Sequence, residues 1–231
     1  HLTADLGMDF SVRPAFAVGD LSATSSGGPI VINGKAFSGI VTISAPSALG
    51  NVSFAPEINL GTSTTINAGG EIGLGATRGG NVTLAAGGKV VLNYLDIGSL
   101  SVTSGAGKDI LFGKSPGKSS VILSGLLFLN AGKDIITTVD GGKSPPRSPG
   151  IADSPFSIGD TLGSSIHAVG NIALPLLSSG TVTPISSGGG TVTRYAPNTP
   201  TVLVAATSPT IAPGPTVLAP TAPTLASATP P

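Results

Sequence analysis

The chain has 231 residues, of which 10% are charged and 4% are aromatic, and it contains 34 Gly, 20 Pro and no Cys. Its 11 basic and 11 acidic residues are scattered singly, which argues against a nucleic-acid surface because such a surface needs clustered Lys and Arg. Without Cys there are no disulfides or thiolate metal sites, and the longest nearly apolar run, 121–129, is far shorter than the ~20 residues that span a bilayer.

The chain begins with a segment, 1–19, that lacks sustained apolar periodicity. We interpret it as a lead-in that pairs in part with the first repeat. Strand signals start after it, where short stretches such as Val82-Thr83-Leu84 alternate bulky apolar residues with hydroxyl residues. This period of two is typical of a half-buried strand. It predicts that Val82 and Leu84 point inward, and that Thr83 and Thr103 point outward.

A five-residue phrase recurs through 68–136. It consists of a small residue, a glycine-led turn, a charged or polar residue and a β-branched residue. Its four clear copies end 18, 20 and 25 positions apart, and they occupy 68–72, 86–90, 106–110 and 131–135; looser copies occupy 17–21 and 168–172. The phrase predicts a corner that carries the charged residues, followed by an inward ladder of Ile72, Val90, Ile110 and Ile135.

A repeat near 20 residues, with short strands, glycine turns and no helical periodicity, favours a parallel β-solenoid. Parallel strands without helical crossovers require a chain that coils, so that each turn stacks on the one before. An antiparallel sandwich is the alternative all-β fold. We prefer the solenoid because a sandwich gives no reason for consecutive turns to share a motif.

Two proline-rich stretches interrupt or end this rhythm. Residues 143–165 contain several Ser-Pro pairs, and proline cannot donate to a strand ladder, so we predict an excursion from the stack there. Residues 195–231 have a loose Pro-Thr-apolar refrain, which favours an extended or disordered linker. The predicted β-helix therefore comprises 20–194.

The sequence Gly-Gly-Asn-Val-Thr-Leu-Ala-Ala-Gly-Gly at 79–88 resembles the shafts of filamentous-haemagglutinin-like bacterial exoproteins, which are exported by two-partner secretion. The resemblance covers about 20–140. It implies a right-handed parallel β-helix, on the cell surface or released from the cell, that serves adhesion or acts as a stalk. The Asn-Pro signatures of the family's N-terminal secretion domain have no match, so we expect an interior or C-terminal shaft segment.

Asp109 and Asp134 are the strongest candidates for chemistry. A polysaccharide lyase or hydrolase on a β-helix needs carboxylates that converge on one face, and these two could align on successive coils beside Lys108 and Lys133. The repeat itself explains their spacing, however, so we interpret all four as solvated corner residues. We predict no catalytic, cofactor-binding or metal-binding residue.

Other motifs give weaker signals. His167 is the only internal histidine, and with no Cys it cannot anchor a typical zinc site alone. The glycines at 188–190 lack the following helix and the Lys-Ser/Thr pair of a phosphate loop. The Thr-Val-Thr copies at 181–183 and 191–193 are too few for an ice-binding array. Asn51 and Asn81 fit the N-glycosylation pattern, but we interpret them as strand residues.

These observations together predict a non-enzymatic, extracellular or cell-surface protein with a structural or adhesive role. The alternative is a carbohydrate-active β-helix enzyme. A β-helix end exposes unpaired strand edges, so we also expect end-to-end self-association. Its outward Ser, Thr and Asn residues could contact surface glycans or proteins.

Overall fold

The structure, a computed structural model, describes residues 2–4, 8–10, 19–33, 36–54, 57–113, 121–137, 157–159, 163–175, 185–196 and 199–201. Within these residues the regular secondary structure is entirely β-strand, and all strands but the last stack in parallel as a solenoid. The predicted all-β solenoid is therefore confirmed.

Each coil contributes strands to two faces, A and B, and the middle coils add a third face, C. Face A contains β1 (Leu2–Ala4), β3 (Leu21–Ser25), β5 (Ile40–Ala45), the second halves of β7 (Glu57–Ala68) and β9 (Ala76–Ala86), β12 (Leu100–Thr103), β15 (Leu127–Ala131), β18 (Ser165–Ala168) and β20 (Ile185–Ser187). Face B contains β2 (Met8–Phe10), β4 (Ile30–Ile32), β6 (Val52–Phe54), β8 (Ile72–Leu74), β10 (Val90–Leu92), β13 (Ile110–Phe112), β16 (Ile135–Thr137), β19 (Ile172–Pro175), β21 (Val192–Ala196) and β22 (Thr199–Thr201). Face C contains the first halves of β7 and β9, with β11 (Leu95–Ile97), β14 (Val121–Leu123) and β17 (Ser157–Ile158).

The predicted inward ladder is the core of face B. Ile72, Val90, Ile110 and Ile135 are fully buried, and each is the register partner of the next. On face A the alternation is also confirmed, since Val82 and Leu84 are buried whereas Thr83 and Thr103 are exposed. Identical inward positions on successive coils place aliphatic side chains directly over one another at about 4.8 Å. A narrow core without large aromatic clusters can therefore still be continuous.

Glycine columns make the corners tight. At the corner between faces A and B, a Cβ on Gly105 would lie 1.9 Å from the carbonyl oxygen of Gly87, and one on Gly132 would lie 1.9 Å from that of Gly105. Real Cβ atoms do not approach an oxygen so closely, so these positions accept only glycine unless the backbone moves. At the corner between faces C and A, Gly79 has a φ of +150°, and a Cβ there would lie 1.7 Å from the carbonyl oxygen of Leu60. The glycine-led turns of the sequence thus reflect contact between adjacent coils.

Coils of unequal length keep the same register. Register partners on face A are 18 residues apart from Val82 to Leu100, 27 from Leu100 to Leu127 and 37 from Phe128 to Ser165. The additional residues are accommodated between strands, because the strands themselves remain aligned.

Paired strands are found on both sides of the predicted boundaries. The lead-in, 1–19, contributes β1 and β2, which pair in parallel with β3 and β4. Residues 157–159 and 163–165, which we assigned to the proline-rich excursion, lie in the stack instead, because Ile158 and Ser164 fill buried positions. The boundary at 194/195 falls inside β21, and β22 pairs antiparallel with it. Residues 143–156 and 160–162 of the excursion, and 197–198 and 202–231 of the tail, lie outside the described residues.

Thr64 carries a hydroxyl group at an inward position on face A. Thr64 stands between Val41 and Val82 in register, is buried, and its Oγ1 has no hydrogen-bond partner among the described residues. An unsatisfied buried hydroxyl costs about 1–3 kcal/mol. We therefore expect Thr64→Val to raise the free energy of unfolding by about 1 kcal/mol, measured by urea denaturation followed by circular dichroism.

The matched control for this substitution is Thr83→Val, which changes an exposed threonine on the same face. It should leave the free energy of unfolding within about 0.5 kcal/mol of the parent chain. Equal effects of the two substitutions would contradict the explanation from burial.

Candidate functional site

The residue before each face B strand from β6 to β21 forms a column along the corner between faces A and B. We call this column the corner ladder, and its described members are Asn51, Glu71, Lys89, Asp109, Asp134, Asn171 and Thr191. Each backbone carbonyl accepts a hydrogen bond from the first strand residue of the preceding coil; Ile110 N, for example, donates to Asp134 O at 2.9 Å. The main chain therefore holds the corner residue in position whatever its side chain is.

Side chains of the corner ladder extend this pattern. Asn51 Oδ1 accepts from Glu71 N at 2.7 Å, and Asn171 Oδ1 accepts from Thr191 N at 3.0 Å. The carboxylates do the same, since Asp109 Oδ1 accepts from Asp134 N at 3.2 Å and Asp134 Oδ1 accepts from Asn171 N at 2.6 Å. Asn and Asp suit the position because a short side chain with an oxygen can bond to nearby backbone N–H groups.

The two candidate carboxylates do meet on successive coils, as their spacing suggests. Lys133 Nζ lies 3.6 Å from Asp109 Oδ1 and 3.4 Å from Asp134 Oδ2. Lys108 is exposed in the same turn and has no ion pair among the described residues. The interpretation of solvated corner residues needs correction for Asp134, which is only 8% exposed, because its Oδ1 turns inward to the Asn171 N–H.

The charges of Asp109 and then of Asp134 raise the pKa of Lys133 above its ordinary value. A raised pKa in the folded state means that the ion pairs stabilise the fold at pH values below the ordinary lysine value. This contribution disappears as the pH rises through the raised pKa of Lys133. Because the ammonium group is exposed, solvent screens these pairs and their effect on stability is small.

Two further ion pairs lie on the surface of the solenoid. Lys89 Nζ lies 3.4 Å from Glu71 Oε1 along the corner ladder, and Arg78 Nε lies 3.8 Å from Asp96 Oδ2 on face C. Both link adjacent coils and both are well exposed. Most charged members of the repeated phrase are thus paired across the stack, as corner residues would be.

The third copy of the repeated phrase does not superpose on the others. Thr103 pairs with Ala85, so the inward small residue of this turn is Ser104, which is buried, while Ala106 is exposed. The turn holds two more residues than its neighbours, and Gly107 has a φ of +69°. Ser104 Oγ donates to Lys108 O and accepts from Gly132 N, which holds the longer turn together. The equivalence of Ala106 with the other alanines was therefore wrong.

A second polar column at the corner between faces C and A was not predicted. Asp20 Oδ1 accepts from Ile40 N at 2.7 Å, Asn81 Oδ1 from Ser99 N at 3.1 Å, Ser99 Oγ from Leu126 N at 3.0 Å, and Ser164 Oγ from Leu127 N at 2.9 Å. The signal was present in the near copies that begin at Asn51 and Asn81. The structure shows that they mark different corners with the same local role.

His167 lies apart from both columns. His167 is exposed on face A, where its Nδ1 lies 2.7 Å from Ser186 Oγ. The glycines at 188–190 lead into strand β21 and not into a helix. Thr191 belongs to the corner ladder, whereas 181–183 lies outside the described residues. Among the described residues no group of three or more His, Cys, Asp or Glu side chains could hold a metal ion.

The fold and its two polar corner columns define a parallel β-solenoid protein. Comparison of the chain with protein-family models, with curated proteins and with solved structures finds no match. In the part of the chain that the structure describes, no helix has the length and apolar character needed to cross a membrane.

Proposed function

We propose that this protein is a non-enzymatic structural and adhesive shaft, exposed on a bacterial surface or secreted, of the filamentous-haemagglutinin-like kind. The observation that carries the proposal is the unbroken parallel pairing of face A from β3 to β20 through coils of very different length. A stack whose strands stay in register while the connections vary is suited to act as a rod.

The corner ladder supports a non-enzymatic role over the carbohydrate-active alternative. Asp109 and Asp134 each give a carboxylate oxygen to a backbone N–H of the next coil, and both lie beside Lys133. A general acid must hold a proton that it can deliver to the substrate. The carboxylate oxygens of Asp109 and Asp134 instead accept main-chain hydrogen bonds that join adjacent coils, which suits a structural role.

Self-association belongs to the same proposal. The edge of face B after β21 is taken by β22, a reversed strand with Pro200 at its centre, and proline has no N–H to donate to another strand. Association of coil ends would therefore use the strand edges of face A. Analytical ultracentrifugation over a range of concentrations tests this, and a monomer at every concentration would count against it.

Two measurements test the shaft role: the shape of the particle in solution and its activity on polysaccharides. Small-angle X-ray scattering should give an elongated particle with the cross-section of one coil, and a polysaccharide panel should yield no new reducing ends. Turnover that disappears in Asp109→Asn or Asp134→Asn, both of which can keep the corner hydrogen bonds, would favour the enzyme instead.

Antibody labelling of intact producing cells tests the surface location, and labelling only after lysis would refute it.

A further inference from the structure

One aromatic side chain stands outward on face A near the later coils. Phe128 is 37% exposed, whereas Phe37 and Phe112 are buried in the core. The outward positions of the earlier coils in the same column carry Thr42, Thr65 and Thr83. A phenyl ring that the core does not use, in a chain with few aromatic residues, requires a separate explanation.

Polar side chains surround this ring on the same face. Ser101 pairs with Phe128 in register, and Thr103, Asn130, His167 and Ser186 form the adjacent outward column. We call these six residues the Phe128 patch. Neighbouring positions in such a grid are about 4.8 Å apart between strands. None of the six is Lys, Arg, Asp or Glu.

Several polar groups of the patch are free to bind a ligand. The amide group of Asn130 and the hydroxyl group of Thr103 make no side-chain hydrogen bond to another described residue, and both residues are exposed. His167 bonds to Ser186 through Nδ1, which orients the ring and leaves Nε2 available. A hydroxyl-rich ligand could therefore both donate to and accept from this surface.

The patch continues along the stack into a shallow groove. Thr103 belongs to both, and the groove is further lined by Asn67, Ala85 and Gly87 on the preceding coils. The column from Asn67 to Ser186 crosses six face A strands, a length of about 24 Å at the usual strand spacing. An elongated ligand could thus lie parallel to the coil axis.

We propose that the Phe128 patch binds a neutral, extended polysaccharide chain that lies along face A. Phe128 stacks against the apolar face of one sugar ring, while Asn130, His167 and Thr103 bond to its hydroxyl groups. This inference deepens the adhesive part of the proposed function and rests on it. The lack of cationic residues in the patch disfavours an anionic glycan, and one exposed phenyl ring is too small an apolar area for a stable protein interface.

The test is a binding isotherm of the full chain on microcrystalline cellulose and on chitin, with alginate as an anionic comparison. The parent chain should bind the neutral polymers and not alginate. Phe128→Ala should weaken binding at least about tenfold, and His167→Ala about threefold or more, with unchanged thermal unfolding. Phe128→Tyr should retain binding to within about threefold because the ring is kept.

Ile122→Ala is the matched control, since Ile122 is 39% exposed on the outer side of face C. It should bind like the parent chain. Absence of binding by the parent chain, or equal binding by Phe128→Ala, would overturn the proposal. A change of oligomeric state in Phe128→Ala without a change in binding would do so too, and would assign the patch to contacts between copies. An elongated particle that binds neither polymer would leave the shaft proposal intact and refute only this site.

Discussion

Gly105→Ala should lower the free energy of unfolding by about 3 kcal/mol, because the new Cβ would collide with the carbonyl oxygen of Gly87. The backbone cannot easily shift to relieve the collision. A Cβ on Gly132 would lie equally close to the carbonyl oxygen of Gly105, so Gly105 has a tightly packed coil on both sides and a shift away from Gly87 moves it toward Gly132. Urea denaturation followed by circular dichroism measures the loss.

Gly73→Ala provides the matched control. Gly73 lies within β8, partly exposed, with no atom within 4 Å of its added Cβ and without a positive φ. Glycine in a strand loses more chain entropy on folding than alanine, so this substitution should be neutral or stabilise by about 0.5 kcal/mol. If both substitutions destabilise the protein equally, the crowded corner is not the cause.

Asp134→Ala is expected to lower the free energy of unfolding by about 2–3 kcal/mol. The substitution removes the charged acceptor for Asn171 N, a hydrogen bond of 2.6 Å at a buried corner, together with the ion pair to Lys133. Hydrogen bonds to charged groups are worth more than neutral ones, while the exposed ion pair adds little. Thermal and urea unfolding measure the change.

Asp134→Asn separates the hydrogen bond from the charge. At Asn51 and Asn171 in this ladder, an amide oxygen accepts the equivalent main-chain hydrogen bond. Asp134→Asn should therefore lower the free energy of unfolding by less than about 1 kcal/mol. Its unfolding should also lose part of the alkaline dependence that Lys133 contributes. Losses of equal size in the Ala and Asn variants would mean that the charge, and not the main-chain hydrogen bond, is what stabilises this corner.

The inward residues were predictable because burial obeys a simple alternation. Ile72, Val90 and Ile110 occupy the position that the phrase assigned to them, and they stack in register. A strand residue has only two sides on which to point, so a bulky aliphatic beside a hydroxyl residue is nearly sufficient to decide between them.

The turns were less predictable because the motif alone does not show how many residues separate two strands. Ala106 and Gly107 look like earlier copies of the phrase, yet Ser104 fills the buried position two residues before Ala106. A serine can replace an alanine there only because Lys108 O and Gly132 N satisfy its hydroxyl group. Such a partner depends on the next coil, which no local pattern contains.

The second polar column was missed for a related reason. Asn51 and Asn81 stand in nearly identical sequences, and a repeat of about 20 residues suggests one corner. Their separation of 30 residues is instead one coil plus the step between two corners. The third face, which creates that extra corner, is formed by strands such as β11 and β14 that lack the repeated phrase.

The connections from face B to face C vary most in length. They comprise 93–94 in one coil, 113–120 in the next and 138–156 in the one after. Lengthening a surface connection costs only about 0.6 kcal/mol for each doubling, whereas one methyl group at Gly105 costs several times more. Insertions and deletions among natural variants of this protein should therefore concentrate at the edge between faces B and C. Whole segments can be gained or lost there without altering the stacked strands.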